Sequence, residues 1–220
     1  MDPAWRRRTK AEHRWPVTLS VAAAIVLQIL LPPRLTAPLP PALLPGLEGA
    51  VAIVLIIVNP VRFERGGVVA RLASLVLIGL ITFANAVSAV LLIKAILESR
   101  AGSSATPLLA SGASIWATNV IAYALWYWEL DRGGPARRAE GTRQVPDLMF
   151  PQMTSPDLAP PDWEPYFVDY LYLAFTNATA FSPTDVMPLA RWAKLAMLMQ
   201  AAVSLSLGAL VIARAVNILR

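Results

Sequence analysis

Long apolar segments are the feature of this 220-residue chain that most restricts its fold. Five of them are long enough to be membrane-spanning helices, because lipid offers backbone groups no water and so favours helix. They are residues 17–31, 42–58, 72–93, 108–128 and 195–212. Only 15% of the residues are charged, compared with roughly a quarter in soluble domains. The sequence therefore predicts an all-α integral membrane protein with five transmembrane helices.

The residue types exclude several kinds of site. The chain has no cysteine and only one histidine, His13, which excludes disulfides, thiolate metal sites and histidine-based triads built from this chain alone. The sequence has no glycine-rich phosphate loop, no paired-carboxylate motif and no metal-ligand spacing. We therefore expect no bound cofactor, no metal site and no enzymatic activity.

Polarity divides the chain into four regions. Residues 1–16 form a basic N-terminus, residues 17–130 a four-helix membrane region, residues 131–165 a polar linker, and residues 166–220 the last membrane elements. The linker is rich in proline and poor in hydrophobic residues, a composition that disfavours a packed core. It is predicted to be a partly disordered cytoplasmic loop, with docking of a partner as the alternative.

The distribution of basic residues predicts orientation. With five spans and the N-terminus inside, 14 of the 19 Lys and Arg residues lie on the cytoplasmic side and 5 outside, as the positive-inside rule requires. The run Arg6-Arg7-Arg8 precedes the first apolar segment, and the prolines after Leu31 favour a retained signal anchor. We expect a multi-pass protein of the bacterial plasma (inner) membrane with a cytoplasmic N-terminus. Because topology accounts for the basic surplus, no nucleic-acid partner is expected.

Residues 166–181 make an ambiguous membrane segment. The segment carries Asp169 near its start, becomes polar through Thr176 and Thr179, and is followed by Ser182-Pro183. Sixteen residues are short for a crossing, which favours a re-entrant helix before the last span. A sixth full crossing is the alternative, and the basic-residue count stays at 14 to 5 in that case.

Residues 175–185, FTNATAFSPTD, resemble the pore signature of potassium channels, which reads FTTATTVGYGD. The filter of those channels needs glycine conformations to aim its carbonyl groups at the ion. Here Ser182-Pro183-Thr184 replaces Gly-Tyr-Gly, and proline fixes φ and lacks an N–H. The resemblance implies a pore-like hairpin without potassium selectivity. Such pore loops open outward, whereas the charge count puts this segment inside, so a tetrameric potassium-channel architecture is not expected. The matching residues are Phe175, Thr176, Ala178, Thr179 and Asp185.

Several motifs along residues 14–219 are similar to a family of uncharacterised bacterial integral membrane proteins, known as a domain of unknown function. The resemblance implies a fold and a membrane location but no particular activity. The motifs that carry it are AYALWYWE at residues 122–129, Phe150-Pro151, DYLYLAFT at 169–176, SPTDV at 182–186 and AVNIL at 215–219.

Ionisable residues within apolar segments suggest one candidate site. Glu48 in the second segment and Lys94 in the third lie at similar predicted depths. Charged residues at such depths are rare and usually paired or functional. The two residues are predicted to form a structural ion pair, and a proton or cation coupling site is the alternative.

Polar residues near the C-terminus suggest a second candidate site, a polar path between the re-entrant hairpin and the last span. Gln200 and Ser204 recur four residues apart on that span, although such stripes also serve helix packing. Two functions follow: a non-potassium-selective ion channel or transport-related protein of unknown substrate, or a non-conducting accessory protein acting through helix–helix assembly. Either would have the bilayer and a homo-oligomer or other membrane proteins as partners. The candidate path residues are Thr176, Thr179, Ser182, Thr184, Asp185, Gln200 and Ser204.

Overall fold

The computed structural model describes residues 3–40, 42–58, 61, 67–99, 104–179 and 185–219, and the chain is 76% helical. Short 3₁₀ turns lie at Ala4–Arg6, Pro33–Leu35, Asp131–Gly133 and Pro156–Leu158. Two-residue strands β1, Leu148–Met149, and β2, Met187–Pro188, pair antiparallel. The helices are α1 Trp15–Ile29, α2 Leu43–Val58, α3 Val68–Leu97, α4 Ala105–Leu130, α5 Pro135–Glu140, α6 Pro151–Thr154, α7 Phe167–Thr179 and α8 Arg191–Leu219.

The fold is that of an all-α membrane protein. Among the described residues, three helical segments are long and apolar enough to cross a bilayer: Val68–Leu97, Ala105–Glu140 and Arg191–Leu219. The second of these combines α4 with the turn and short helix that follow it. Helices α1 and α2 are apolar but have only 15 and 16 residues, fewer than the ~20 of a typical span. The expected number of five crossings therefore stays a prediction.

Helix α4 is the centre of the bundle and packs against α1, α3, α7 and α8, while α2 packs on α1 and α3. The buried side chains form two clusters along the length of α4. One cluster includes Leu125 and Trp128 near the end of α4, and the other includes Leu108 and Ile115 near its start. Because both clusters contain residues of α4, this helix connects the two halves of the core.

Polar contacts gather several helix ends at one end of the bundle, which we call the linker end. The Arg71 side chain near the start of α3 lies 4.0 Å from that of Glu129 near the end of α4. Arg14, beside the start of α1, donates a hydrogen bond to the Leu55 carbonyl of α2. The backbone N–H of Ala190, just before α8, donates to the Asp147 carbonyl of the linker. Helices α1, α3 and α8 thus begin at this end, where α2 and α4 finish.

The linker, residues 131–165, is folded, and the prediction that it lacks a packed core is wrong. Leu148 and Phe150 are buried in the main core cluster. The Phe150 ring packs edge-on against that of Tyr170, with centroids 5.3 Å apart. Pro135 and Pro151 occupy the first positions of α5 and α6, where proline favours helix initiation. The linker prolines therefore start ordered helices, and a few apolar side chains between them are enough to anchor the segment.

The N-terminal segment packs against the linker. The Thr9 backbone N–H donates to the Ala139 carbonyl at 2.9 Å, and its hydroxyl donates to Glu164 Oε2 at 2.7 Å. Gly141 adopts a positive φ of 67°, and a Cβ there would lie 2.8 Å from the Arg7 carbonyl carbon. Only glycine suits this close contact between two segments of the chain, because it tolerates the left-handed backbone and leaves room for the Arg7 backbone.

Candidate functional site

Glu48 is an acidic residue inside an apolar helix. Its side chain is 0% exposed, and its Oε2 atom accepts a hydrogen bond of 3.3 Å from Gln28 Nε2 on α1. Its other carboxyl oxygen, Oε1, is buried and has no hydrogen-bond partner within the described ranges. A carboxylate in apolar surroundings is costly unless a cation or several hydrogen bonds compensate it. Oε1 of Glu48 is thus an acceptor without a described donor, in surroundings that disfavour a negative charge.

The structure does not bring Glu48 and Lys94 together, so the expected ion pair is not formed. The Lys94 side chain is exposed on α3, and its Nζ lies 3.9 Å from Oε1 of Glu98, one turn further along the same helix. A pair of this i, i+4 spacing is readily formed on a helix surface. Lys94 therefore satisfies its charge locally, while Glu48 faces Gln28.

Cavities adjoin the Glu48 segment on both sides. Towards the end of the bundle opposite the linker, cavities of about 30 and 550 Å³ are both lined by Gln28 and Pro45. Towards the linker end, an apolar cavity of about 220 Å³ is lined by Gly49 and, at its far side, by Arg14. In α2, Glu48 lies between Pro45, which lines the two cavities on one side, and Gly49, which lines the apolar cavity on the other side.

A second buried acceptor lies on α3. Asn85 is buried, and its Oδ1 has no hydrogen-bond partner in the part of the chain that the structure describes. Ala84 and Ser88, which flank it on the same helix, line the 30 Å³ cavity together with Gln28. Buried acceptors nearly always have a donor. Asn85 is therefore a second buried acceptor, on α3, without a described donor.

Gln200 is the centre of a polar network between α4, α7 and α8. It is 0% exposed. Its Oε1 atom accepts hydrogen bonds from the Tyr127 hydroxyl at 2.7 Å and from Asn177 Nδ2 at 2.8 Å. Its Nε2 donates to the Ala174 carbonyl at 2.7 Å. These bonds join the three helices to one another.

Ser204 belongs to the same network, one turn further along α8. Its hydroxyl oxygen accepts a 3.0 Å hydrogen bond from Asn119 Nδ2 on α4, and Asn119 also donates to the Gln200 backbone carbonyl. Hydrogen bonds of this kind hold helices together in membranes. Both predicted path residues on α8 therefore lie at a helix–helix contact.

Three other predicted path residues, Thr176, Thr179 and Asp185, lie outside this network. The Thr176 hydroxyl donates to the carbonyl groups of Tyr172 and Leu173 within its own helix. The hydroxyl of Thr179, which is exposed, likewise donates to carbonyl groups of the preceding turn. Asp185 is exposed just before β2. Ser182 and Thr184 lie outside the described residues.

A buried polar cluster that the sequence did not indicate lies where α4 meets the linker. Asp131 is 0% exposed. Its Oδ2 accepts a hydrogen bond from the Tyr170 hydroxyl, and its Oδ1 accepts from the backbone N–H groups of Asp147 and Leu148. Arg132, also buried, lies beside Asp131, with Nε 3.6 Å from Oδ2. The sequence indicated only a polar linker here, because the partners of Asp131 lie 16 to 39 residues further along the chain.

Arg138 and Glu12 extend this cluster. Arg138 is buried, donates to the backbone carbonyls of Trp128 and Asp131, and lies over the Tyr170 ring. It thereby caps carbonyl groups at the end of α4. Glu12 accepts hydrogen bonds from the Trp128 indole N–H at 2.8 Å and from the backbone N–H of Phe167 at 2.6 Å. Burial raises the pKa of Glu12, and these hydrogen bonds only partly oppose that effect.

Comparison of the chain with protein-family models, with curated proteins and with solved structures finds no match. Within the described ranges, no group of three or more His, Asp or Glu side chains is arranged to hold a metal ion. Function must therefore be inferred from the geometry of this chain, and Glu48 and the Gln200 network are its two candidate centres.

Proposed function

We propose that this protein is a transport-related multi-pass protein of the bacterial plasma membrane, in which Glu48 binds a proton or a small cation. The observation that carries the proposal is the burial of Glu48, with one carboxyl oxygen unpartnered, between cavities lined by its neighbours in α2. Ionisable residues at membrane depth commonly belong to ion or proton pathways. Because its hydrogen-bond partner Gln28 lines two of these cavities, the site has space from which a small cation or water could approach.

We further propose five crossings, by α1, α2, α3, α4 and α8, with the N-terminus in the cytoplasm. The gathering of the starts of α1, α3 and α8 with the ends of α2 and α4 supports this arrangement. It also agrees with the 14 to 5 distribution of basic residues in the sequence. In this topology the linker end faces the cytoplasm.

Helix α7 is proposed to be re-entrant. Its 13 residues extend about 20 Å at ~1.5 Å per residue, short of the ~30 Å hydrocarbon layer. Its first turn lies at the linker end, where Tyr170 contacts Asp131. After α7 the chain returns to the same end, because Met187 and Pro188 of β2 pair with β1. Helix α7 starts at the linker end, and strand β2 follows it at the same end. This supports a hairpin that enters and leaves the membrane on one side.

Cysteine labelling tests the topology, and the cysteine-free chain makes it simple. Single cysteines replace Asp157 in the linker, Asp185 before β2 and Asn217 near the end of α8, all of which are exposed. In sealed vesicles, Asp157→Cys and Asp185→Cys should react from one side and Asn217→Cys from the other. Labelling of Asp157→Cys and Asp185→Cys from opposite sides would mean that α7 crosses the membrane.

Flux measurements test the role of Glu48. The purified protein in sealed liposomes is given gradients of protons and of several monovalent cations, and internal pH and ion content are followed with dyes. We expect flux that Glu48→Gln abolishes and Glu98→Gln, a change to an exposed carboxylate at the end of α3, leaves unaltered. Both variants are first compared with the wild type by thermal unfolding. Wild-type flux in a folded Glu48→Gln protein would remove Glu48 from the mechanism.

A second candidate function, that of a non-conducting accessory protein, is favoured by the Gln200 network. Gln200 and Ser204 make hydrogen bonds between helices, which is the role expected of polar residues in helix assembly. For the same reason a polar path along α7 and α8 has less support than the Glu48 site. Absence of flux for every tested ion in folded wild-type protein would favour this second function.

A further inference from the structure

A separate cavity of about 620 Å³ lies at the linker end, between the N-terminal turn and the linker. Its walls come from residues 3–7 and residues 152–163, which lie outside the helices long enough to span a membrane. The volume falls within the range of small-molecule sites in proteins. The proposed function makes no use of this cavity.

Two unpartnered polar atoms belong to residues that line the cavity. Trp5 is 5% exposed, and its indole nitrogen is buried without a hydrogen-bond partner among the described residues. Oε1 of Gln152, in the linker part of the lining, is likewise buried and without a described partner. Buried donors and acceptors are normally satisfied. Both atoms have almost no accessible surface, so they lie inside the walls of the cavity and do not face a ligand.

The charge of the cavity favours an anion. Arg6 and Arg7 both line it. The Arg6 guanidinium lies over the Trp5 ring, 4.6 Å from its centroid, and Arg7 donates a long hydrogen bond of 3.4 Å to the Pro161 carbonyl. Each guanidinium has five N–H donors, so both retain donors for a ligand. The fork of these donors matches phosphate and carboxylate oxygens.

The remaining lining residues suit the uncharged part of such a ligand. Asp157 contributes one carboxylate, which accepts hydrogen bonds from hydroxyl groups. Trp163 and several prolines supply flat apolar walls. A space this large would be poorly filled by a bare inorganic ion. The lining therefore fits an anionic group joined to a hydroxyl-bearing body.

We propose that this cavity binds an organic phosphate. Arg6 and Arg7 hold the phosphate, and Asp157 accepts hydrogen bonds from the hydroxyl-bearing part. Two sources carry this chemistry, the glycerol-phosphate headgroup of an anionic phospholipid and a soluble phosphate ester. The experiment has one arm for each.

In the soluble arm, the full-length protein in an uncharged detergent is titrated by calorimetry with glycerol 3-phosphate, adenosine monophosphate and inorganic phosphate. In the lipid arm, native mass spectrometry counts phosphatidylglycerol and phosphatidylcholine molecules retained by the protein. The test variant is Arg6→Gln/Arg7→Gln. The matched control is Arg8→Gln, which removes a charge from the same run without touching the cavity lining. All these positions are exposed, so the folds should be unaffected.

We expect saturable binding in one arm, weakened about tenfold or more in Arg6→Gln/Arg7→Gln, because the variant loses the charge-assisted hydrogen bonds of two guanidinium groups. Arg8→Gln should bind as the wild type does. Retention of phosphatidylglycerol over phosphatidylcholine would identify a lipid headgroup, and binding of a soluble ester alone would identify a free metabolite. No saturable binding in either arm, or equal binding by the double variant, would overturn the proposal.

Discussion

The Tyr170 hydroxyl donates a 2.6 Å hydrogen bond to Oδ2 of Asp131, and both residues are fully buried. This bond joins the first turns of α7 to the residue that follows α4. Oδ1 of Asp131 meanwhile holds the linker through the N–H groups of Asp147 and Leu148. One carboxyl group thus positions the linker and α7 relative to the central helix.

Tyr170→Phe is expected to lower the free energy of unfolding by about 1–3 kcal/mol, because it removes a donor from a buried carboxyl group. Unfolding in detergent, followed by circular dichroism, measures the change. The control Tyr172→Phe alters an exposed ring on the same helix and should stay within ~0.5 kcal/mol of the wild type. Equal stability of the two variants would mean that the Asp131 bond contributes little.

Gln200→Leu is expected to destabilise the protein by about 1–3 kcal/mol for each buried group left unpaired. The Tyr127 hydroxyl loses its acceptor, whereas Asn177 Nδ2 keeps its hydrogen bond to the Met197 carbonyl. Ser206→Ala, on the exposed face of α8, serves as the control, and denaturant unfolding is the measurement. A stable Gln200→Leu protein with altered ion flux would instead support a water-filled path at this position.

Gly112→Ala is expected to destabilise the contact between α4 and α8. A Cβ at Gly112 would lie 2.9 Å from Cγ1 of Val211, and overpacking of this kind costs roughly 1–3 kcal/mol. Gly208 on α8 has no atom within 4 Å of an added Cβ, so Gly208→Ala should be neutral or slightly stabilising. Thermal unfolding compares the two.

The double variant Gly112→Ala/Val211→Ala provides the check on this mechanism. Val211→Ala has its own cost because Val211 is buried, but removing its methyl groups relieves the clash, so the double variant should lose less stability than the sum of the two single variants. If the two changes simply add, the loss does not arise from this contact.

The pH dependence of stability is expected to carry a contribution from Glu12. The pKa of its carboxyl group is raised by burial in the folded protein, whereas in the unfolded chain it is ~4.3. As pH rises through the window between these values, the unfolded chain loses the proton first, so folding stability falls. Below that window Glu12 is protonated in both states, and it no longer lowers the stability of the fold.

Glu12→Gln removes this titration but also weakens the contacts with Trp128 and Phe167. The variant should therefore be less stable than the wild type at low pH, and its disadvantage should shrink as pH rises. Unfolding measured from pH 4 to pH 8 tests this. A difference in stability that stays constant over the whole range would contradict the raised pKa.

Local sequence located α1 to α4 to within four residues at each end, whereas it missed α5 and α6 and placed the end of α8 seven residues too early. The apolar segment 72–93 lies within α3, Val68–Leu97, and the segment 108–128 lies within α4, Ala105–Leu130. Helix α7, Phe167–Thr179, lies within the predicted segment 166–181, and the Ser182-Pro183 step that was expected to end it lies outside the described residues. Apolar length and proline or glycine breaks are properties of neighbouring residues, which is why the sequence alone is enough to read them.

Tertiary packing decided what each polar side chain does. Glu48 faces Gln28 on another helix, while Lys94 turns to Glu98 on its own. The linker became ordered because Asp131 and Tyr170, 39 residues apart, meet at the end of α4. Partners so distant along the chain depend on the rotation and depth at which whole helices pack. The packing of the assembled bundle fixes the rotation and depth of each helix, because residue types and local spacing are compatible with many rotations.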